Sequence, residues 1–225
     1  MVKVMTAKVF QMLCYWPIYL LLKCLVNYRV EGQENLCGLE NRPVIFVSNH
    51  ASWLDGFLCA MAMPRNGLVP RKFYPLRFLV TNRFMRLWDI RMPVAIFTHL
   101  NASIKVRRAG GDVALAMREA VEVLRSGAKV WMFPEGKFTL DGKIGRGKRG
   151  APYLHRETGA FIVPVGISGH FDVLSERHIY KLGVKVRVNI GRPMCLPVGI
   201  SLEEGSAIIM DKIRSLAETN TDLNK

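Results

Sequence analysis

A chain of 225 residues, half of them hydrophobic, can bury one substantial core, and one domain is expected. Its formal net charge of +14, from 32 Lys and Arg against 18 Asp and Glu, points to a polyanionic partner or surface: nucleic acid, anionic headgroups or phosphorylated substrates. The five cysteines (Cys14, Cys24, Cys37, Cys59 and Cys195) are odd in number, widely spaced and without a C-x-x-C pair, which excludes a disulfide framework and a zinc site and fits a reducing compartment.

Residues 9–22 are apolar apart from Gln11, and the run continues to Val26 between Lys8 and Arg29. A full membrane span needs about 20 apolar residues, so this arm suits an interfacial or re-entrant helix, with Tyr15, Trp16 and Tyr19 at headgroup depth. A secretory signal peptide is the competing reading, but no small-x-small cleavage site follows the apolar run. The chain therefore divides into a membrane-anchoring arm (1–29), a main domain (30–217) without linker or repeat, and a polar tail (218–225).

Asn41-Arg-Pro marks a turn before a buried strand at 44–47, and a helix over 53–63 should stop at Pro64. Between Arg65 and Arg108 ten bases face one acid, Asp89, and are interleaved with aromatics. That mixture suits a membrane interface or an RNA surface, and the apolar arm favours the membrane. Within it, 76–88 reads as an amphipathic basic helix and 94–97 as a second strand. Asp112 should cap a helix over 113–125, ended by Gly127. Strands follow at 128–133, 161–167 and 184–190, with a helix near 151–156. Ser201-Leu-Glu-Glu204 is a capping box for the last helix. The fold class is α/β: a single domain with a mostly parallel sheet flanked by helices, plus an N-terminal membrane-associated helix.

In open α/β sheets ligands bind beyond the carboxyl ends of the strands. Here those ends carry Asn49-His50, then Phe133-Pro-Glu-Gly136, then Ser168-Gly169. A histidine leaving a strand, with Asp55 five residues on to fix its tautomer, is the equipment of a general base. Ser52-x-x-Asp55 fits a helix capping box equally well, so Asp55 has two readings. Base and second polar turn together best serve acyl transfer to a hydroxyl, and no G-x-S-x-G elbow is present. The histidines and cysteines show no metal-ligand spacing.

Three blocks in order, Ser48-Asn-His50-x-x-x-x-Asp55, Phe133-Pro-Glu-Gly136 and Ile162-Val-Pro-Val-Gly166, resemble the glycerolipid acyltransferases, typified by the bacterial 1-acyl-sn-glycerol-3-phosphate acyltransferases. The resemblance implies His50 and Asp55 as the catalytic pair. It implies Glu135 and Gly136 as substrate-binding residues, with Arg107 or Arg108 as the arginine of a further block; Asn49, beside the base, and Lys137, beside Gly136, are further substrate-binding candidates. Glu135 capping a turn and a solvated basic edge at Arg107 and Arg108 are the competing readings. Lys137-Phe138-Thr139 stand where the family carries Thr-Arg-Ser, so the cation for an acceptor phosphate would come from Lys137, Lys143, Arg146, Lys148 or Arg149.

The implied activity is phospholipid biosynthesis: transfer of a fatty acyl group to the sn-2 hydroxyl of lysophosphatidic acid. Acyl-CoA or acyl carrier protein would be co-substrate, with no metal and no other cofactor. The implied partners are membrane lipids and the acyl donor, with no nucleic acid, at the cytoplasmic face of the inner membrane. Another lyso-lipid acceptor, a lyso-aminolipid or lysophospholipid, is the alternative within the class. A basic nucleic-acid-binding protein and a catalytically silent membrane scaffold are the alternatives outside it.

Overall fold

The structure, a computed structural model, describes residues 2–81, 98–106, 110–173 and 183–218. In chain order its main elements are α1 (Val2–Leu25), β1 (Asn27–Glu31), β2 (Val44–Ser48), α2 (Asp55–Met61), β3 (Leu76–Thr81), β4 (Ile104–Val106), α3 (Val113–Arg125), β5 (Lys129–Met132), α4 (Gly150–Thr158), β6 (Phe161–Ser168), β7 (Lys185–Ile190) and α5 (Leu202–Glu218). The described strands form a seven-stranded sheet in the order β1-β7-β6-β2-β5-β3-β4. Every neighbouring pair is parallel except β6 and β7.

β2 lies at the centre because all five of its residues are apolar or small and all are buried, the composition of a strand covered on both faces. Side chains alternate across the sheet. Val44 and Phe46 join Trp131, Val163 and Val165 beneath α1 and α2, while Ile45 and Val47 join Val130, Met132 and Ile162 beneath α3, α4 and α5. Phe46 and Trp131 stack with centroids 5.0 Å apart, which locks β2 to β5 directly below the site.

The helix ends follow their sequence signals. Asp112 accepts the Leu115 N–H at 3.1 Å, and Gly127 takes the positive φ of 81° that closes α3. At α5 the capping box is reciprocal: Ser201 Oγ accepts the Glu204 N–H at 3.1 Å and Glu204 Oε2 accepts the Ser201 N–H at 2.9 Å.

Some expectations change. Residues 76–81 form β3 and not the start of a basic helix, because Leu76–Phe78 pair with β5 and Leu79–Thr81 with β4. Arg77, read as part of an exposed basic face, is buried and donates Nε–H to the Ala102 carbonyl at 2.8 Å. Residues 82–88, the strand expected at 94–97 and the tail beyond Glu218 lie outside the described residues. The helix expected from Trp53 starts at Asp55. β1 and β4 were not expected, being short and poorly patterned.

α1 is long and apolar enough to cross a membrane, yet one side of it packs on the domain. Ala7, Gln11, Tyr15 and Leu22 are buried, whereas Val4, Met5, Val9, Leu13, Leu20 and Leu21 are exposed. Tyr15, expected at headgroup depth, instead joins the core, stacked on Tyr19 at 5.7 Å. Gln11, the polar interruption of the arm, donates to the Leu76 carbonyl and accepts the Leu76 N–H, both at 2.9 Å. It satisfies β3 where β4 stops short of pairing. Gln11→Leu would make the arm more apolar, but it strands two buried backbone groups at about 1–3 kcal/mol each. Its thermal midpoint in detergent should therefore fall, and an unchanged midpoint would show that the arm is not docked through Gln11.

Candidate active site

The carboxyl ends of β2, β5 and β6 face the same way and meet in one cluster. Asn49, the first residue past β2, is buried, donating Nδ2–H to the Ile167 carbonyl at 2.8 Å and accepting the Ile167 N–H at 2.9 Å. Both ends of its amide are thus committed to β6, so Asn49, expected to bind substrate, fixes the spacing of two strand ends. The chain then turns His50 over the sheet edge. Its Nδ1 lies 2.8 Å from Asp55 Oδ2, with the side chain 18% exposed and the carboxylate fully buried.

Asp55 occupies the first turn of α2 and serves both readings at once. Its Oδ2 also accepts the N–H groups of Ala51 and Ser52 at 2.8 and 3.0 Å. The box itself is half formed: Ser52 Oγ donates to the Val173 carbonyl and accepts the Leu54 N–H, while the Asp55 N–H goes to the Ser52 carbonyl. Burial pushes the Asp55 carboxyl up, but His170, His50 and the Ser52 N–H more than offset it and leave it below the usual carboxylate range. An ionised carboxylate only accepts, so His50 must carry its proton on Nδ1. Nε2 is then left with a lone pair for an incoming hydroxyl.

Aromatic rings hold the imidazole on both faces, with centroids 3.8 Å away for Phe133 and 4.0 Å for Phe138. Trp53 leans on Phe138 at 4.9 Å. None of the three was read from sequence as packing on the base, although Phe133 opens the Phe133-Pro-Glu-Gly136 block and Phe138 stands in the family's arginine position.

Glu135 is turned inward. Oε1 accepts the His50 N–H at 3.0 Å and Oε2 the Gly145 N–H at 2.9 Å, so one buried carboxylate ties the β2 exit to the 141–149 loop. Burial raises its pKa, with the two N–H bonds opposing. A carboxyl raised on folding binds protons more tightly folded than unfolded, so its contribution is complete below the ordinary carboxyl pKa and declines as pH rises through the folded value. Glu135→Gln keeps one acceptor, loses the other, and does not titrate. Its deficit in thermal midpoint should therefore be largest near pH 4–5 and shrink toward pH 7.5; a deficit that grows with pH would contradict the assignment.

Gly136 has φ 67°, and a Cβ there would meet Lys148 Nζ at 2.5 Å. The lysine ammonium therefore crosses the Gly136 turn, one residue past Glu135. Lys137 is exposed next to it. Of the other candidate cations, Arg149 is committed to the Gly111 carbonyl and to Glu203. Arg107 and Arg108 lie outside the described residues. Among the described residues no three His, Cys, Asp or Glu side chains stand close enough to hold a metal.

One group was passed over in the sequence. His170, two residues beyond β6, is buried with Nε2 3.8 Å from Asp55 Oδ1. The strand-end rule that selected Ser168-Gly169 would have found it.

A protein-family model described as Acyltransferase matches residues 27–168, from the first strand to the end of β6 and across His50, Asp55 and Glu135. The chain belongs to the acyltransferase family. The acyltransferase relatives include the chloroplastic 1-acyl-sn-glycerol-3-phosphate acyltransferase of Arabidopsis thaliana, 25% identical over 190 residues, 84% of this chain and 47% of that protein. They also include the 1-acyl-sn-glycerol-3-phosphate acyltransferase of Borreliella burgdorferi, 25% identical over 193 residues, 84% of this chain and 71% of that one. The chain spans about half the length of the plant chloroplast relatives. The crystal structure of the 1-acyl-sn-glycerophosphate acyltransferase PlsC from Thermotoga maritima shares this acyltransferase fold, with a TM-score of 0.69, 22% identity, and coverage of 97% of this chain and 80% of that one.

Proposed function

We propose that this protein transfers a fatty acyl group to the sn-2 hydroxyl of 1-acyl-sn-glycerol-3-phosphate at a membrane surface, from acyl-CoA or acyl carrier protein. The observation that carries the reading is the 2.8 Å contact between His50 Nδ1 and the buried Asp55, at a strand end matched by the acyltransferase family. Relatives with this activity in their names support the acceptor.

In this scheme His50 Nε2 takes the proton of the acceptor hydroxyl as its oxygen attacks the thioester carbonyl. Asp55 stabilises the imidazolium that results. As the tetrahedral intermediate collapses, the C–S bond breaks and the imidazolium returns its proton to the departing thiolate. The acyl group passes straight from sulfur to oxygen, with no ester to the protein, and the benefit of holding two substrates together replaces a covalent step.

Phe138 on the base puts an apolar ring where the family's arginine would stand, so the acceptor phosphate falls to Lys148 over Gly136, with Lys137 beside it. Lysine grips a phosphate as a point charge, without the bidentate fork of arginine. That difference favours the second reading, a lyso-acceptor with another headgroup. The outward apolar side of α1 is the membrane contact, and Arg65, stacked over Trp16 and Tyr19 at 5.5 and 6.0 Å, sets a cation beside it for the anionic headgroups of the cytoplasmic leaflet.

Purified protein given labelled donor and a panel of lyso-acceptors should acylate 1-acyl-sn-glycerol-3-phosphate best. Lys148→Ala should raise KM for it about tenfold or more, as loss of one charged hydrogen bond implies, while sparing kcat. Preference for a phosphate-free or choline-bearing acceptor would replace the first reading with the second.

A further inference from the structure

Asp55 is satisfied on one oxygen only. Oδ2 receives His50, Ala51 and Ser52, whereas Oδ1 is buried without a hydrogen bond. A buried carboxylate oxygen with no donor is costly, and next to it, at 3.8 Å, stands Nε2 of the buried His170. We propose that His170 is a positioning residue for the base, its Nε2–H serving Asp55 Oδ1 so that the carboxylate stays charged and aimed at His50 while His50 carries the acceptor's proton.

The placement is built into the fold. β6 ends at Ser168, and Gly169 turns the chain at φ 77°, where a Cβ would lie 2.0 Å from the Lys185 carbonyl oxygen. No other residue fits that turn, and it swings His170 back under the β2 exit. The family match ends at Ser168, so this histidine lies outside it.

The surroundings select the tautomer. Around the pair stand Asp55 and Cys59 from α2, Asn49 and His50 from the end of β2, and Glu135 across His50. Burial pushes the Cys59 thiol well up, so it carries no charge. Asn49 Nδ2 gives one hydrogen to the Ile167 carbonyl at 2.8 Å and has the other 3.5 Å from His170 Nε2; that neutral donor at the outer limit of a hydrogen bond is outweighed by the carboxylate charge at Oδ1. The negative charge at Oδ1 therefore places the hydrogen on Nε2 and leaves Nδ1, which has no hydrogen-bond partner, as the bare nitrogen. Burial lowers the His170 pKa, with Asp55 opposing, so the ring is neutral at neutral pH and gains charge only on acidification, where it helps hold the Asp55 carboxyl down. Closing 3.8 Å to hydrogen-bond length requires about 1 Å of movement.

This inference rests on the proposed acyl transfer, and its test has an arm independent of that reading. In wild-type protein carrying 15N-labelled histidine, with His170 assigned by loss of its signals in His170→Gln, the ring should show a protonated Nε2 and a bare Nδ1. The reverse tautomer overturns the proposal whatever the acceptor proves to be. In the kinetic arm, His170→Phe keeps a flat ring without donors. Its kcat should fall about tenfold or more, the loss of one hydrogen bond to a charged group, with KM for both substrates little changed. Without the His170 donor the carboxylate holds protons more tightly, its own and that of His50, so the acid limb of kcat/KM should move up by about 0.5–1 pH unit. His170→Gln, which restores an N–H, should return the limb toward wild type. An unmoved limb in His170→Phe, or a Gln variant as displaced as Phe, shows a purely structural histidine and overturns the proposal. Absence of acylation by wild type on every acceptor would instead count against the proposed function, and the tautomer would still decide the role of His170.

Discussion

His50→Ala should lower kcat for acyl transfer by about 10²- to 10⁴-fold, the contribution of a positioned general base, with little change in KM. The imidazole acts on a proton that moves only as the hydroxyl attacks, so its loss removes stabilisation specific to the transition state. In that case kcat and kcat/KM fall together. The fold should survive. The ring's polar side-chain contact is with Asp55, and Oδ2 keeps the N–H groups of Ala51 and Ser52. The gap opens toward solvent between Phe133 and Phe138. Steady-state kinetics alongside a thermal melt separate the effects: a large fall in kcat with an unmoved midpoint is expected, whereas a collapse of the melt would make His50 a structural residue.

Asp55→Asn should cost a comparable factor by a different route. An asparagine can still present an oxygen to the Nδ1–H of His50, but it is neutral, so nothing balances the imidazolium. Neutralising the orienting carboxylate of a serine-protease triad costs about 10⁴-fold, and a fall of about 10²- to 10⁴-fold is expected here. Its pH signature is also defined. The folded carboxyl lies below the usual range, so the ionised form stabilises the native state at neutral pH. That stabilisation is present above the ordinary carboxyl pKa and lost as pH falls through the folded value. The wild type should therefore melt above Asp55→Asn at pH 7, with the difference closing on acidification. Asp55→Ala should be less stable than Asp55→Asn at neutral pH. It leaves two buried N–H groups unpaired, at about 1–3 kcal/mol each. Equal melts for the Asn and Ala variants would deny that Asp55 holds the turn before α2.

What could be read from the chain and what could not divide along physical lines. β2 was legible because four apolar residues in a row, ending in Ser-Asn-His, have the composition of a doubly covered strand. α3 and α5 were legible because Asp112, Gly127 and the Ser201–Glu204 box are local chemistry, settled within one turn of helix. β3 was misread because Arg77, Arg83 and Arg86 set among apolar residues suit a helical face, while the apolar run at 76–81 suits a strand equally. Pairing with β5, distant in sequence, decides between them.

The site shows the same division. His50 and Asp55 are five residues apart, so their meeting is nearly local. Asn49 meets Ile167, Glu135 meets Gly145 and the His50 N–H, and His170 comes back under Asp55. Those contacts exist only once the sheet is assembled. Residue type marked Asn49 and Glu135 as polar groups at strand ends, but not that both turn inward to hold the strand exits. Phe138 could be read only as a missing arginine, while in the fold it is the second wall of the base's pocket.

Following the acyl label tests the central claim most directly. Protein in lipid would be mixed with acyl-labelled donor and 1-acyl-sn-glycerol-3-phosphate, quenched over the first turnovers, and the label located in donor, lipid and intact protein by mass. Direct transfer with His50 as base predicts label appearing at the sn-2 position of the lipid, none on the protein at any time, and transfer slowed by about 10²-fold or more in His50→Ala. Label accumulating on His50 or another side chain before it reaches the lipid, or transfer by His50→Ala at the wild-type rate, would contradict it.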